Sequence, residues 1–138
     1  MTAPLRTCLD LARGLPLVDA VSALDSALHR RLVAAHELRE RIGRSGRLRG
    51  IAQARRVADL IEPNVASPME SRLRMILLLA GLPRPQVQTE LRDDRGAFIA
   101  RPDLLYPTAR LAIEYDGAVH RESLVADNRR QNRLQRAG

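Results

Sequence analysis

The chain has 138 residues, 45% of them apolar and 28% charged, which suits one medium globular domain, or one small domain with a helical extension, and excludes a low-complexity chain. No apolar stretch can span a bilayer (the longest, Met75 to Ala80, is too short), and the single cysteine, Cys8, excludes an internal disulfide. The net charge is +7, carried by 23 basic residues that are all Arg, and it points to a polyanionic partner as well as to an Arg codon bias that accounts for the absence of Lys.

The first 62 residues read as helices. Pro4 can open a short helix that Gly14 ends, with Cys8 among apolar neighbours as a packing residue. Asp10 and the lack of a signal-peptide pattern, together with the lone cysteine, make a cytoplasmic protein the expectation. Pro16 opens a second helix, in which Leu17, Val21, Leu24 and Leu28 follow helical spacing and Asp19 and Asp25 fall on the other face. A third helix is predicted from about Ala34 to Ile42 and a fourth from about Ile51 to Ile61. The segment between them, Gly43-Arg44-Ser45-Gly46-Arg47-Leu48-Arg49-Gly50, reads as flexible and strongly basic. It reads first as a solvated helix connection, and less specifically as an electrostatic contact to a DNA backbone. His29 and His36 sit in helical segments without metal-ligand partners and read as structural.

Glu62-Pro63-Asn64 marks a boundary, giving a helical region over 1–62 and a second domain over 63–138. That domain opens on the clearest helix in the chain. Ser67 caps it, Pro68 takes the first helical position, and Glu70 completes a capping box, with Arg74 at i,i+4 from it. From Leu73 to Ala80 the helix is apolar nearly all round apart from Arg74, which predicts burial on more than one side. After Pro85 the period becomes extended. Strands are predicted at Val87 to Leu91, Ala97 to Leu105 and Arg110 to Tyr115, with Asp93-Asp94-Arg95-Gly96 as a hairpin turn and a short turn at Pro107. Glu122 to Arg136 reads as a polar, basic helix. The expected class is α/β (α+β): a helical region, then a three-stranded mixed sheet flanked by helices.

Three acids mark the strands. Asp103 follows Pro102, Glu114 ends the third strand, and Asp116 lies two residues on, where strand alternation would project it with Glu114. Clustered carboxylates repel one another unless a cation sits among them, and Mg²⁺ favours such hard oxygen ligands. The bland alternatives are a turn cap for Asp103 and a solvated strand end for Glu114 and Asp116. The apolar run Leu111-Ala112-Ile113 that turns abruptly acidic favours a site.

Pro102-Asp103, followed after ten residues by Glu114-Tyr115-Asp116-Gly117 and His120, resembles the core of PD-(D/E)xK nucleases. The Glu-x-Asp-Gly-x-x-His form is similar to the Vsr-like branch of that superfamily, and residues 4 to 62 resemble part of the helical region of abortive-infection (type IV toxin–antitoxin) antitoxins. The resemblance implies a restriction-endonuclease-like fold and a metal-dependent endodeoxyribonuclease that uses Mg²⁺ or Mn²⁺ on DNA. It assigns Asp103 and Glu114 to the metal and Glu70 to a helix position completing the site. Asp116 stands where the superfamily commonly has Lys, and His120 takes a general-base or phosphate-polarising role. Asp127, Arg130 and Arg133, at helical spacing, would orient the site or hold backbone phosphates, and Arg129 joins Arg130 and Arg133 in a nucleic-acid-binding face. The family's sheet gains a further strand and helix after the basic helix, so the sequence reads as a truncated domain whose exposed sheet edge calls for a protein partner or a second copy. The alternatives are a non-catalytic DNA-binding or toxin–antitoxin-type regulatory protein, or a remnant of a longer one.

Overall fold

The structure is a computed structural model and describes residues 2–116; the expected basic helix, with His120, Asp127, Arg129, Arg130 and Arg133, lies outside them. Helices precede strands in an α+β chain, and it divides into two compact units, one ending at Leu82 and one beginning at Pro83.

In the first unit the helices are α1 (Ala3–Gly14), α2 (Leu17–His29), α3 (Ala35–Gly43), α4 (Ile51–Leu60) and α5 (Pro68–Leu79). Their starts follow the predicted punctuation, with Pro4 in the first turn of α1 and Pro16 at the N-cap of α2. The core is aliphatic, as the shortage of aromatics dictates. Leu9 and Ala12 of α1, Val21 and Leu24 of α2, Leu38 and Ile42 of α3 and Val57 of α4 are all buried in one cluster, together with Cys8. Burial pushes the Cys8 thiol pKa up, in keeping with a packing role. α1 packs on α2, α3 and α4, while α5 packs on α2. The helix placed downstream of the Glu62-Pro63-Asn64 boundary therefore belongs to the compact helical unit.

The connection between α3 and α4 is pinned, where a flexible segment was expected. Ser45 is buried; its hydroxyl donates to Arg41 O (2.8 Å) and accepts from Arg41 Nη1 (3.0 Å). Arg13 Nε donates to Arg49 O at 2.7 Å, and Gln53 Nε2 donates to Ala12 O (3.1 Å) and Leu15 O (2.6 Å). Gly50 closes the turn with φ +78°, and a Cβ there would stand 2.6 Å from Arg13 O, so glycine is required on two counts.

Two sequence expectations about α2 and α5 are overturned together. Asp25 was placed on the outer face, yet it is 1% exposed. α5 was expected to bury its leucines, yet its buried residues are Glu70, Ser71, Arg74 and Met75, while Ile76 and Leu79 are 61% and 53% exposed. The reason is one buried ion pair. Asp25 Oδ2 accepts from Arg74 Nη2 (2.9 Å) and from the Ser71 hydroxyl (2.6 Å), and Oδ1 accepts from the Glu62 N–H (2.6 Å). Arg74 is fully buried, and its Nε and Nη1 have no hydrogen-bond partner among the described residues. A buried charge must be matched, so the polar stripe of α5 turns inward and the aliphatic one outward.

The second unit holds β1 (Gln86–Val87), β2 (Leu91–Arg92), β3 (Phe98–Ala100), β4 (Leu104–Tyr106), a 3₁₀ turn at Pro107–Ala109 and β5 (Leu111–Ile113). A three-stranded sheet runs in the order β1-β4-β5, and β2-β3 form a separate pair. All these pairings are antiparallel, so the sheet is not mixed. The Asp93 to Gly96 turn forms as expected. Asp93 Oδ1 accepts from the N–H groups of Arg95 (2.9 Å) and Ala97 (2.8 Å), and Gly96 has φ +81°.

The first two predicted strands are each split in two. Gln88, at φ +50°, breaks Val87 to Leu91 and sends its halves to different sheets; Pro102, which lacks an N–H, interrupts Ala97 to Leu105 between β3 and β4. Pro102, Leu104, Leu105 and Tyr106 are buried in this unit.

The buried pair sets an expectation for stability. Arg74→Met should destabilise the helical unit by about 3–5 kcal/mol, because it strands the Asp25 carboxylate; denaturation followed by far-UV circular dichroism reads this. Burial raises the Asp25 pKa, against the opposing pull of the Ser71 hydroxyl, the Glu62 amide and Arg74. With the folded pKa above the unfolded one, the folded state holds the proton longer, so the stability this group contributes is greatest below its ordinary carboxylate pKa and is lost as pH rises through the raised value. The melting temperature of wild type minus that of Asp25→Asn should therefore fall with rising pH across that window, and a rise would contradict the assignment.

Candidate functional site

Asp103 sits at the entrance to β4, between buried Pro102 and buried Leu104. β4 and β5 pair with Leu104 opposite Ile113. Asp103 and Glu114 each stand one residue beyond this last pair, at the same end of the two strands, a register that sequence left open. The Asp103 carboxylate is held at both oxygens. Oδ1 accepts from Gln88 Nε2 at 3.0 Å, and Oδ2 accepts from the Tyr115 N–H at 2.7 Å. The main chain adds a third tie, from the Gln88 N–H to Asp103 O at 3.1 Å.

Gln88 is the residue that sequence reasoning missed. It has the left-handed conformation, which for a non-glycine residue costs about 1 kcal/mol. That conformation ends β1 and aims both the amide N–H and the side chain at Asp103. Nothing in Gln86-Val87-Gln88-Thr89 signals a positive φ, since the usual markers are Gly, Asn and Asp.

The expected site residues separate into three groups. Asp103 and Glu114 come to the same end of the β4–β5 pair. Glu114 and Asp116 are exposed and lie past the end of β5 at Ile113, so strand alternation does not align them. Glu70 belongs to the helical unit, where it is buried at the start of α5: its N–H donates to Ser67 Oγ (3.2 Å) and its Oε2 accepts from the Ala66 N–H (3.1 Å). The capping role of Glu70 is therefore realised. His120, Arg129, Arg130 and Arg133 lie outside the described residues.

Two hard oxygen ligands across a strand pair suit Mg²⁺ or Mn²⁺, because such ions keep several waters and take one or two protein carboxylates. Each Asp103 oxygen accepts a single hydrogen bond from Gln88 or Tyr115, which leaves lone pairs for a cation. Among the described residues, no group of three or more His, Cys, Asp or Glu side chains is arranged to hold a metal ion. Nearby Glu90 is committed elsewhere. Arg101 and Arg92 donate to it at 2.7 and 2.6 Å, and these hydrogen bonds, that of Arg101 first, hold its pKa below the usual carboxylate value.

The chain is similar, at 33% identity over 115 residues, to uncharacterized proteins from two strains of Mycobacterium tuberculosis. The match covers 83% of this chain and 42% of each relative, so the chain spans about two fifths of the length of the curated relatives it matches. No family model matches the sequence, and no solved structure matches it. Among the described residues no helix is long and apolar enough to cross a membrane.

The double role of Gln88 can be measured. Gln88→Ala keeps the strain and loses the side-chain hydrogen bond, so it should destabilise the strand unit by about 1–2 kcal/mol. Gln88→Gly should cost less, since glycine adopts this φ freely. Both tyrosines, Tyr106 and Tyr115, lie in this unit and the chain has no Trp, so tyrosine fluorescence during denaturation reports it selectively. Equal costs for the two variants would show that the strained backbone contributes nothing.

Proposed function

We propose that this protein acts on DNA as a metal-dependent endonuclease of the PD-(D/E)xK, Vsr-like kind, in the cytoplasm. The observation that carries the reading is the pairing register: β4–β5 ends on Leu104 opposite Ile113, so the two acids singled out by the Pro102-Asp103 and Glu114-Tyr115-Asp116-Gly117 motifs each stand one residue beyond that pair, at the same end of the strands. The grip of Gln88 and the Tyr115 amide on Asp103 adds support, because a carboxylate fixed in advance loses little freedom when it binds a cation.

On this reading Asp103 and Glu114 hold Mg²⁺ or Mn²⁺. The ion would supply Lewis-acid polarisation of a phosphate oxygen and an acidified water. Asp103 presents a carboxylate held by a hydrogen bond at each oxygen, and Glu114 would supply the second carboxylate from an exposed position. Asp116 adds negative charge where the superfamily commonly has Lys, so positive charge for the phosphodiester must come from arginine, with Arg129, Arg130 and Arg133 as candidates. His120 is the candidate base, imidazole being the side chain suited to general-base work. A second copy or a protein partner covering the sheet edge belongs to the same reading.

Nicking of supercoiled plasmid in Mg²⁺ or Mn²⁺ tests the proposal. Asp103→Ala should lower the rate about 100-fold or more, the equivalent of several kcal/mol of lost charge stabilisation. Wild type that binds DNA in a salt-sensitive manner without metal-dependent cleavage would reject the enzyme and leave a non-catalytic DNA-binding or toxin–antitoxin-type regulatory protein.

A further inference from the structure

The helical unit has a charged surface that the acid site does not use. Between Arg39 and Arg56 the chain carries seven arginines and one acid, Glu40. Six of the seven, Arg39, Arg44, Arg47, Arg49, Arg55 and Arg56, are exposed, and the single acid is engaged with Arg44 at 2.8 Å. The next acid along the chain, Asp59, lies at the far end of α4.

The scaffold under these arginines is fixed. Arg41 and Arg55 both reach Ser45, at its hydroxyl (3.0 Å) and its carbonyl (3.4 Å). Arg13 ties down the Arg49 carbonyl, and Gly50 is locked against Arg13. A preformed basic surface gives up little conformational freedom on binding a partner.

We infer that the α3–α4 segment of the helical unit is a docking surface for the phosphate backbone of double-stranded DNA. The partner follows from what the surface has and what it lacks. Arginine forks match phosphates and release counterions from a duplex. Single strands are captured by stacking on aromatic rings, and residues 1–82 contain no Phe, Tyr or Trp. Duplex RNA is read through its 2′-hydroxyls. The neutral polar side chains of this segment are Ser45 and Gln53, and both are spent inside the unit, on Arg41 and on the Ala12 and Leu15 carbonyls. An anionic membrane would call for an interleaved apolar face. Of the large apolar residues in the segment, Leu48 is the exposed one. The inference stands apart from the acid-site reading, since it concerns other residues in the other compact unit.

The test uses the full chain and a labelled DNA duplex of about 25 base pairs, with anisotropy measured between about 50 and 200 mM NaCl. The triple variant Arg47→Gln, Arg49→Gln, Arg56→Gln leaves Arg41 and Arg55 on Ser45 and should keep the wild-type circular dichroism and melting profile. It should weaken duplex binding about tenfold or more at the low-salt end and reduce the slope of log affinity against log salt by roughly 2–3. Arg56→Gln alone should reduce that slope by about 1. A control triple, Arg6→Gln, Arg30→Gln, Arg95→Gln, removes the same charge from exposed arginines elsewhere and should change the slope by less than about 1. Equal losses from the two triples would overturn the inference, as would tighter binding to single strands, duplex RNA or anionic vesicles than to duplex DNA. The anisotropy is read in EDTA, where no divalent ion is bound and no metal-dependent cleavage occurs, so failure of the nuclease reading leaves this test intact.

Discussion

The helical unit is organised around the need to match one buried negative charge. Asp25 lies on the core-facing side of α2, where an unpaired carboxylate would cost several kcal/mol. Its three donors come from well apart in the chain: the Glu62 amide, the Ser71 hydroxyl and the Arg74 guanidinium. Satisfying them fixes where α4 ends, how the chain turns through residues 61–67, and which way α5 rolls. The exposed Ile76 and Leu79 are the geometric consequence, because a helix cannot bury its Ser71–Arg74–Met75 face and its opposite face against the same neighbour.

The strand unit handles its key carboxylate differently. Asp103 is only partly buried and binds two donors, one per oxygen, both within its own unit. Asp25 spends one oxygen on a guanidinium that neutralises it, whereas both oxygens of Asp103 accept from neutral donors, Gln88 and the Tyr115 amide. Neutral donors orient a carboxylate without quenching it. Asp103 is therefore held in place without a charged partner among the described residues, whereas Asp25 is a neutralised structural strut.

Local chemistry was legible in the sequence wherever it acts over a few residues. The prolines that open α1, α2 and α5, the Ser67–Glu70 cap and the Asp93–Gly96 turn needed no tertiary information. What failed depended on partners distant in sequence. The inward turn of Asp25 needs Arg74, 49 residues on, and hydropathy assigns both to solvent. The splitting of the first strand needs the left-handed Gln88, whose conformation is stabilised by Asp103, 15 residues on. The acids themselves were legible by motif; their register was not, because it depends on the Pro107–Arg110 turn, which sets how far β4 and β5 slide past each other.

The exclusive use of arginine looks in composition like codon bias, and the structure separates its uses. Arg74 neutralises a buried acid. Arg13, Arg39 and Arg55 donate to the backbone carbonyls of Arg49, Ala58 and Ser45, holding loops and helix ends with directed N–H groups. A lysine ammonium is a strongly hydrated point charge on a flexible stem, and it would serve such partly buried, directional contacts less well. What remains after these internal duties, chiefly Arg47, Arg49 and Arg56 on the α3–α4 segment, is positive charge with no structural task among the described contacts. Codon bias can supply arginines, but it does not sort them: between Arg39 and Arg56 seven arginines accompany one acid, Glu40, and six of the seven are exposed, so the positive charge is concentrated in one stretch of the helical unit and not spread evenly over the chain.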